Sequence, residues 1–162
     1  MLKLQKTKCL LLLSLIAWMT VIFCMSAQPS YESSQLSGGM VSKIVAVIYP
    51  NFNSLTVSQQ LKITDLLSLI VRKTAHFSEY FVLGALVCSF ANTYKKYKIA
   101  IHGILSVVFC LLYAVSDEIH QYFVPGRACR FLDICIDTAG SVIAVFLFSL
   151  IAHRKMCNRS GE

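Results

Sequence analysis

Hydrophobic positions in this chain fall into long runs that give way to charge only briefly. Cys9 to Gln28 contains no Asp, Glu, Lys or Arg, and neither does Ile99 to Ser116. Phe131 to Ala152 is apolar apart from Asp133 and Asp137, and Thr74 to Ala91 is broken only by His76 and Glu79. At about 1.5 Å per residue, a run of this length approaches the ~30 Å hydrocarbon core of a bilayer. The pattern predicts transmembrane helices at about residues 9–28, 74–91, 99–117 and 131–152. The fold class is therefore all-α, a polytopic membrane bundle of four helices. Neither an internal repeat nor a low-complexity tract divides the chain, so residues 1–162 read as one domain.

The stretch between the first two helices changes period. Ser33-Ser34-Gln35 and Ser37-Gly38-Gly39 read as loop. Val41, Ile44, Val45 and Ile48 then share one helical face, and Tyr49-Pro50-Asn51 ends that element. A second amphipathic stretch runs from about 58 to 71, with Leu61, Ile63, Leu66, Leu67 and Ile70 as its apolar members. Both are expected to form an amphipathic outer segment packed on the bundle.

Charge adds orientation. The chain is 56% hydrophobic and 14% charged, with a formal net charge of +7. In a soluble protein that excess would point to nucleic acid, but no nucleic-acid-binding module is visible. Nine cations (Lys3, Lys6, Lys8, Lys95, Lys96, Lys98, Arg154, Lys155 and Arg159) fall on one side if four helices cross. The other side holds Lys43, Lys62, Arg72, Lys73, Arg127 and Arg130, together with every acid except Glu162. The positive-inside bias predicts cytoplasmic termini in a multi-pass cell-membrane protein. The basic ends suit anionic lipid head groups. Lys3, Lys6 and Lys8 with Met25-Ser26-Ala27 also resemble a signal peptide, but the apolar stretch exceeds a usual signal core and is expected to stay as a helix. Seven cysteines without a C-x-x-C pair argue against a disulfide framework.

The remaining polar residues gather at the predicted extracytoplasmic helix ends. Arg72, His76 and Glu79 stand at i, i+4 and i+7. Asp117, His120 and Gln121 stand at i, i+3 and i+4, with Glu118 beside them. Asp133, Asp137 and Gly140 repeat the first spacing on the last helix, and Arg127 and Arg130 lie just before it. Taken singly, such residues are ordinary register pairs or interfacial anchors. As a set they exceed what register needs, and ionisable groups at membrane depth point to function. Asp137 and Glu79 are expected to face inward toward Arg72, Arg127 or Arg130, with Gly140 admitting a close neighbour helix.

Several chemistries fit these residue types. His76, Glu79, Asp117, Glu118 and His120 are candidate acid–base groups. His76, Glu79, Asp117 and His120 also have the donor types for a divalent metal. Lys73, Gln121, Arg127, Arg130, Asp133 and Asp137 are candidate ligand-binding groups, with guanidinium suited to bidentate phosphate contact. The readings left open are an outward-facing site for an envelope lipid or cell-wall precursor, a metal-dependent or phosphate-directed hydrolase acting on such a lipid, and a non-enzymatic scaffold for wall-assembly proteins. Oligomeric state is not legible.

The same residues carry a resemblance. Lys73-Thr74-Ala75-His76-Phe77-Ser78-Glu79-Tyr80 resembles the K-x-x-H-F-x-x-Y block of VanZ-like membrane proteins. Asp117-Glu118-Ile119-His120-Gln121 resembles their D-E-x-x-Q block, and Pro125-Gly126-Arg127 their P-x-R turn. Asp133, Asp137 and Gly140 resemble their D-x-x-x-N-x-x-G helix, with Asp137 standing where Asn is usual. The similarity runs from about Arg72 to Phe148. It implies an integral membrane protein of the cell envelope. The family is named for an accessory protein of glycopeptide resistance, associated with reduced teicoplanin susceptibility in Gram-positive bacteria.

Overall fold

The computed structural model of the chain describes residues 2–94 and 99–159. The predicted lysine link of Lys95, Lys96 and Lys98 lies outside the described residues. The elements are α1 (Leu2–Ser26), α2 (Ser30–Ile48), a 3-10 turn (Phe52–Ser54), α3 (Val57–Ala91), α4 (Ile99–Tyr122) and α5 (Phe131–Arg159). Among the described residues no strand occurs. Four helices, α1, α3, α4 and α5, are long and apolar enough to cross a membrane.

Local chemistry explains most boundaries. Pro29, with φ −54°, opens α2, and its carbonyl accepts from the Glu32 and Ser33 amides. The loop expected over 33–39 is helical instead. Ser34 and Ser42 turn their hydroxyls back onto the Ser30 and Gly39 carbonyls, which keeps these weak helix formers inside the helix. Val41 and Val45 are the buried face of α2; Ile44 is half-buried and Ile48 is exposed.

Thr56 starts α3 with a capping box: its hydroxyl accepts from the Gln59 amide, and the Gln59 side chain accepts from the Thr56 amide. From there α3 runs unbroken for 35 residues, about 52 Å. The amphipathic stretch 58–71 and the apolar stretch 74–91 are thus one helix. Arg72-Lys73-Thr74 changes the composition, but Arg and Lys are good helix formers, and no Gly or Pro stands between Val57 and Leu83.

The helices run antiparallel in sequence. Lys8 Nζ sits 4.0 Å over the Tyr94 ring, joining the start of α1 to the chain just past α3. Further along α1, Trp18 Nε1 donates to the Glu79 carbonyl at 2.9 Å. Tyr113 on α4 donates to the Met19 carbonyl at 2.8 Å. The core between them is Leu15, Ile22, Tyr80, Leu83, Val87, Cys110 and Ala114.

The closest crossing joins α3 to α5. A Cβ on Gly84 would meet Ser141 Cα at 2.8 Å, and one on Gly140 would meet the Phe77 carbonyl oxygen at 2.3 Å. Glycine at both positions lets two backbones touch. Outside this core, Leu10, Leu13, Ile104, Leu112 and Phe146 are exposed, as lipid-facing residues are. The cysteines at 9, 24, 88, 110, 129 and 135 are free.

Candidate functional site

Three polar layers lie at the end of the bundle where α1 and α4 finish and α5 begins. The outermost is built by the α4–α5 turn. Gly126 adopts φ +75°, a conformation that favours glycine, and the chain reverses there to present Arg127. Arg127 Nε donates to the Gln28 carbonyl at 3.0 Å, and Nη2 to the Met25 carbonyl at 3.2 Å. A cation on the last carbonyls of α1 suits the helix dipole. Nη1 donates to Gln121 Oε1 at 3.1 Å. Gln121 Nε2 in turn donates to Asp117 Oδ2 at 3.0 Å, and Ser26 Oγ donates to the same oxygen at 2.7 Å. One chain of hydrogen bonds therefore fastens α1, α4 and the turn together.

The second layer joins α3 and α4 to α5. Lys73 forms an ion pair with Asp133. The Arg130 amide donates to Glu118 Oε2 at 2.9 Å. The third layer is deeper: His76 Nδ1 lies 3.7 Å from Asp137 Oδ1, and Asp137 is fully buried. Neither Asp137 oxygen has a hydrogen-bond partner.

Between the layers is a cavity of about 100 Å³, walled in part by Arg72, Lys73, His76, Arg127, Arg130 and Asp133. Four of these carry a cation and one a carboxylate. Lys73 is neutralised by Asp133, but among the described residues none of the three guanidinium groups has a carboxylate within ion-pair distance. Arg72 reaches only the Ser34 hydroxyl, at 3.4 Å, and its Nε is buried without a partner. Burial, and then the Arg72 cation, push the Arg127 pKa below its usual value. Arginine nevertheless stays protonated in proteins. The cavity therefore brings four cations and the Asp133 carboxylate around one space.

The structure sorts the sequence candidates. Lys73, His76, Arg127, Arg130 and Asp133 line the cavity, with Gln121 at its wall and Asp137 behind His76. The cation expected beside Asp137 is absent among the described residues; its partner is His76, because Lys73 is held by Asp133. His120 points elsewhere and stacks on Phe23 with ring centroids 4.5 Å apart. Asp117 is held in the hydrogen-bond chain, and Glu118 braces Arg130. Glu79 contributes its backbone carbonyl to Trp18. Among the described residues no three His, Cys, Asp or Glu side chains are grouped to hold a metal ion, so His76, Glu79, Asp117 and His120 do not form one ligand set. Ser26, the hydroxyl that meets Asp117, is the residue that pattern reading passed over. Its only sequence signal is a small polar residue at the end of an apolar run.

The profile of the VanZ/LLP1 family matches residues 11–152, nearly the whole chain. The chain belongs to the VanZ/LLP1 family. The match extends well before Arg72 and takes in most of α1 and the residues just after it, which supply Ser26 and the Met25 and Gln28 carbonyls that hold Arg127. In this VanZ/LLP1 protein the sequence blocks that carry the resemblance are the layers just described: Lys73 and His76 from α3, Asp117 and Gln121 from α4, Arg127 from the turn, and Asp133 and Asp137 from α5. No curated protein and no solved structure matches the VanZ/LLP1 chain.

Proposed function

We propose that this VanZ/LLP1 membrane protein serves the cell envelope by holding an anionic envelope lipid or cell-wall precursor in the cationic cavity, on the extracytoplasmic face. The observation that carries this reading is the cluster of three guanidinium groups, from Arg72, Arg127 and Arg130, around one cavity, none with a carboxylate within ion-pair distance among the described residues. Arg72 and Arg127 are half-buried and Arg130 is exposed, and the partial desolvation of a cation is costly unless an anion offsets it. A bound anion removes that cost and gains charge-assisted, bidentate hydrogen bonds. The excess of cations at the opposite end of the helices supports the orientation through the positive-inside bias. A site that retains a wall precursor also provides a route to altered glycopeptide susceptibility.

Two measurements test this. In purified protein reconstituted in nanodiscs, binding should favour a lipid with a terminal phosphate over phosphatidylcholine. Arg130→Ala and Arg72→Gln should each weaken that preference about tenfold or more, as loss of a charged hydrogen bond of about 1.5–3 kcal/mol would. Equal affinity for both lipids, unchanged in the variants, would rule the reading out. For orientation, a membrane-impermeant maleimide should label Cys129 in intact cells and spare Lys6→Cys, each in an otherwise cysteine-free chain. The reverse pattern would turn the site to the cytoplasm.

A further inference from the structure

The cavity has a reactive wall as well as a charged one. His76 reaches it from α3, and its Nδ1 is buried and turned toward Asp137. Nε2 is then the ring nitrogen left to serve the cavity, which His76 lines. Asp137 is fully enclosed, and His76 is its one ion-pair neighbour among the described residues. A carboxylate that merely fixed helix register would be better satisfied by the nearby ammonium of Lys73, but Lys73 is paired with Asp133 one turn earlier on α5. A carboxylate on the Nδ1 side, here 3.7 Å away and short of a hydrogen bond, favours the tautomer whose Nε2 can take a proton. His76 thus faces the same space as Arg72, Arg127 and Arg130, with Asp137 behind it.

Size narrows the ligand. A cavity of about 100 Å³ is several times the roughly 10–15 Å³ that one water needs by this kind of measure. It has room for a phosphoryl group and a water beside it. Resting on the anion-binding reading above, we infer that the cavity hydrolyses a terminal phosphate ester or anhydride of a membrane lipid, with His76 as the base that activates water and Asp137 as its positioning residue.

The step balances without a further reactant. Water lying between His76 Nε2 and phosphorus gives its proton to Nε2 as its oxygen forms the new P–O bond. The P–O bond to the lipid breaks, and its electron pair leaves with the lipid oxygen. An alkoxide leaving group, on the far side of phosphorus from His76, takes a proton from solvent, a phosphate leaving group needs none, and the imidazolium returns its proton to solvent. The products are inorganic phosphate and either the lipid alcohol or the lipid phosphate. The guanidinium groups stabilise charge on the non-bridging oxygens, the main contribution a protein makes to phosphoryl transfer.

The test uses the full-length protein in mixed micelles with two probes, phosphatidate and a prenyl diphosphate, following release of inorganic phosphate. Release from either one supports the proposal and identifies the lipid source. His76→Gln should lower turnover at least about 100-fold, the scale of lost general base catalysis. Binding of the same lipid should stay within about threefold, which also shows the variant folded. Asp137→Asn should lower kcat with KM little changed and displace the acidic limb of the pH–rate profile, which a purely structural role would not do. If the wild-type protein binds the phosphate-headed lipids but releases no phosphate, hydrolysis is wrong and anion binding stands. If it binds neither, both readings fall. Full activity in His76→Gln would remove His76 as the base.

Discussion

Gly140 on α5 lies so close to α3 that a Cβ there would stand 2.3 Å from the Phe77 carbonyl oxygen. Phe77 directly follows His76, and Gly140 is three residues beyond Asp137, so this contact sets the separation of the His76–Asp137 pair. Gly140→Ala should destabilise the purified protein by about 3 kcal/mol, the upper part of the usual overpacking range, because the obstacle is backbone and cannot rotate away. Gly39→Ala is the control. Nothing lies within 4 Å of its added methyl, and inside α2 the change should be neutral or stabilise by up to about 1 kcal/mol. Unfolding in detergent, read by Trp18 fluorescence, compares the two. Equal behaviour would show that the crossing can open freely.

Arg127 has a dual position, at the cavity and on the end of α1. Arg127→Lys should lower the melting temperature nearly as much as Arg127→Ala. One ammonium cannot replace a fork that reaches the Gln28 and Met25 carbonyls and Gln121 together. Full thermal rescue by Lys would show that charge alone is needed there.

Lys73 and Asp133 tie the middle of α3 to the first turn of α5, and both side chains are largely shielded from solvent. A double-mutant cycle with Lys73→Met and Asp133→Asn should return a coupling of about 1–3 kcal/mol, above that of an exposed pair. The coupling should persist at high salt, since buried pairs are little screened. Additive single effects would mean the pair carries no net stabilisation.

Much of this site is legible in the sequence, and the parts that are not share a cause. Hydropathy runs locate α1, α3, α4 and α5, because burial in lipid demands them. Helical spacing brings Asp133, Asp137 and Gly140 to one face, and the close approach at Gly140 follows from its missing side chain. Spacing does not fix how far each helix is turned about its own axis. His76 and His120 therefore look equivalent on paper, yet one lines the cavity and the other stacks on Phe23. The role of Ser26 depends on which residue of α4 it meets, a relationship set by packing rather than by its neighbours in sequence. The boundary expected near Arg72 reflects a change of composition, which does not stop a helix.

That missing boundary has a mechanical consequence. Val57 and His76 belong to one unbroken rod, about 28 Å apart along its axis. The rod bears on α5 at Gly140 and Gly84, just past His76. Force applied at the turn between α2 and α3 would reach Arg72, Lys73 and His76 through the rod, against the restraint of the Lys73–Asp133 pair on α5. If the site binds the anion proposed above, two glycines inserted after Val71 should uncouple its affinity from changes made at the far end of the rod.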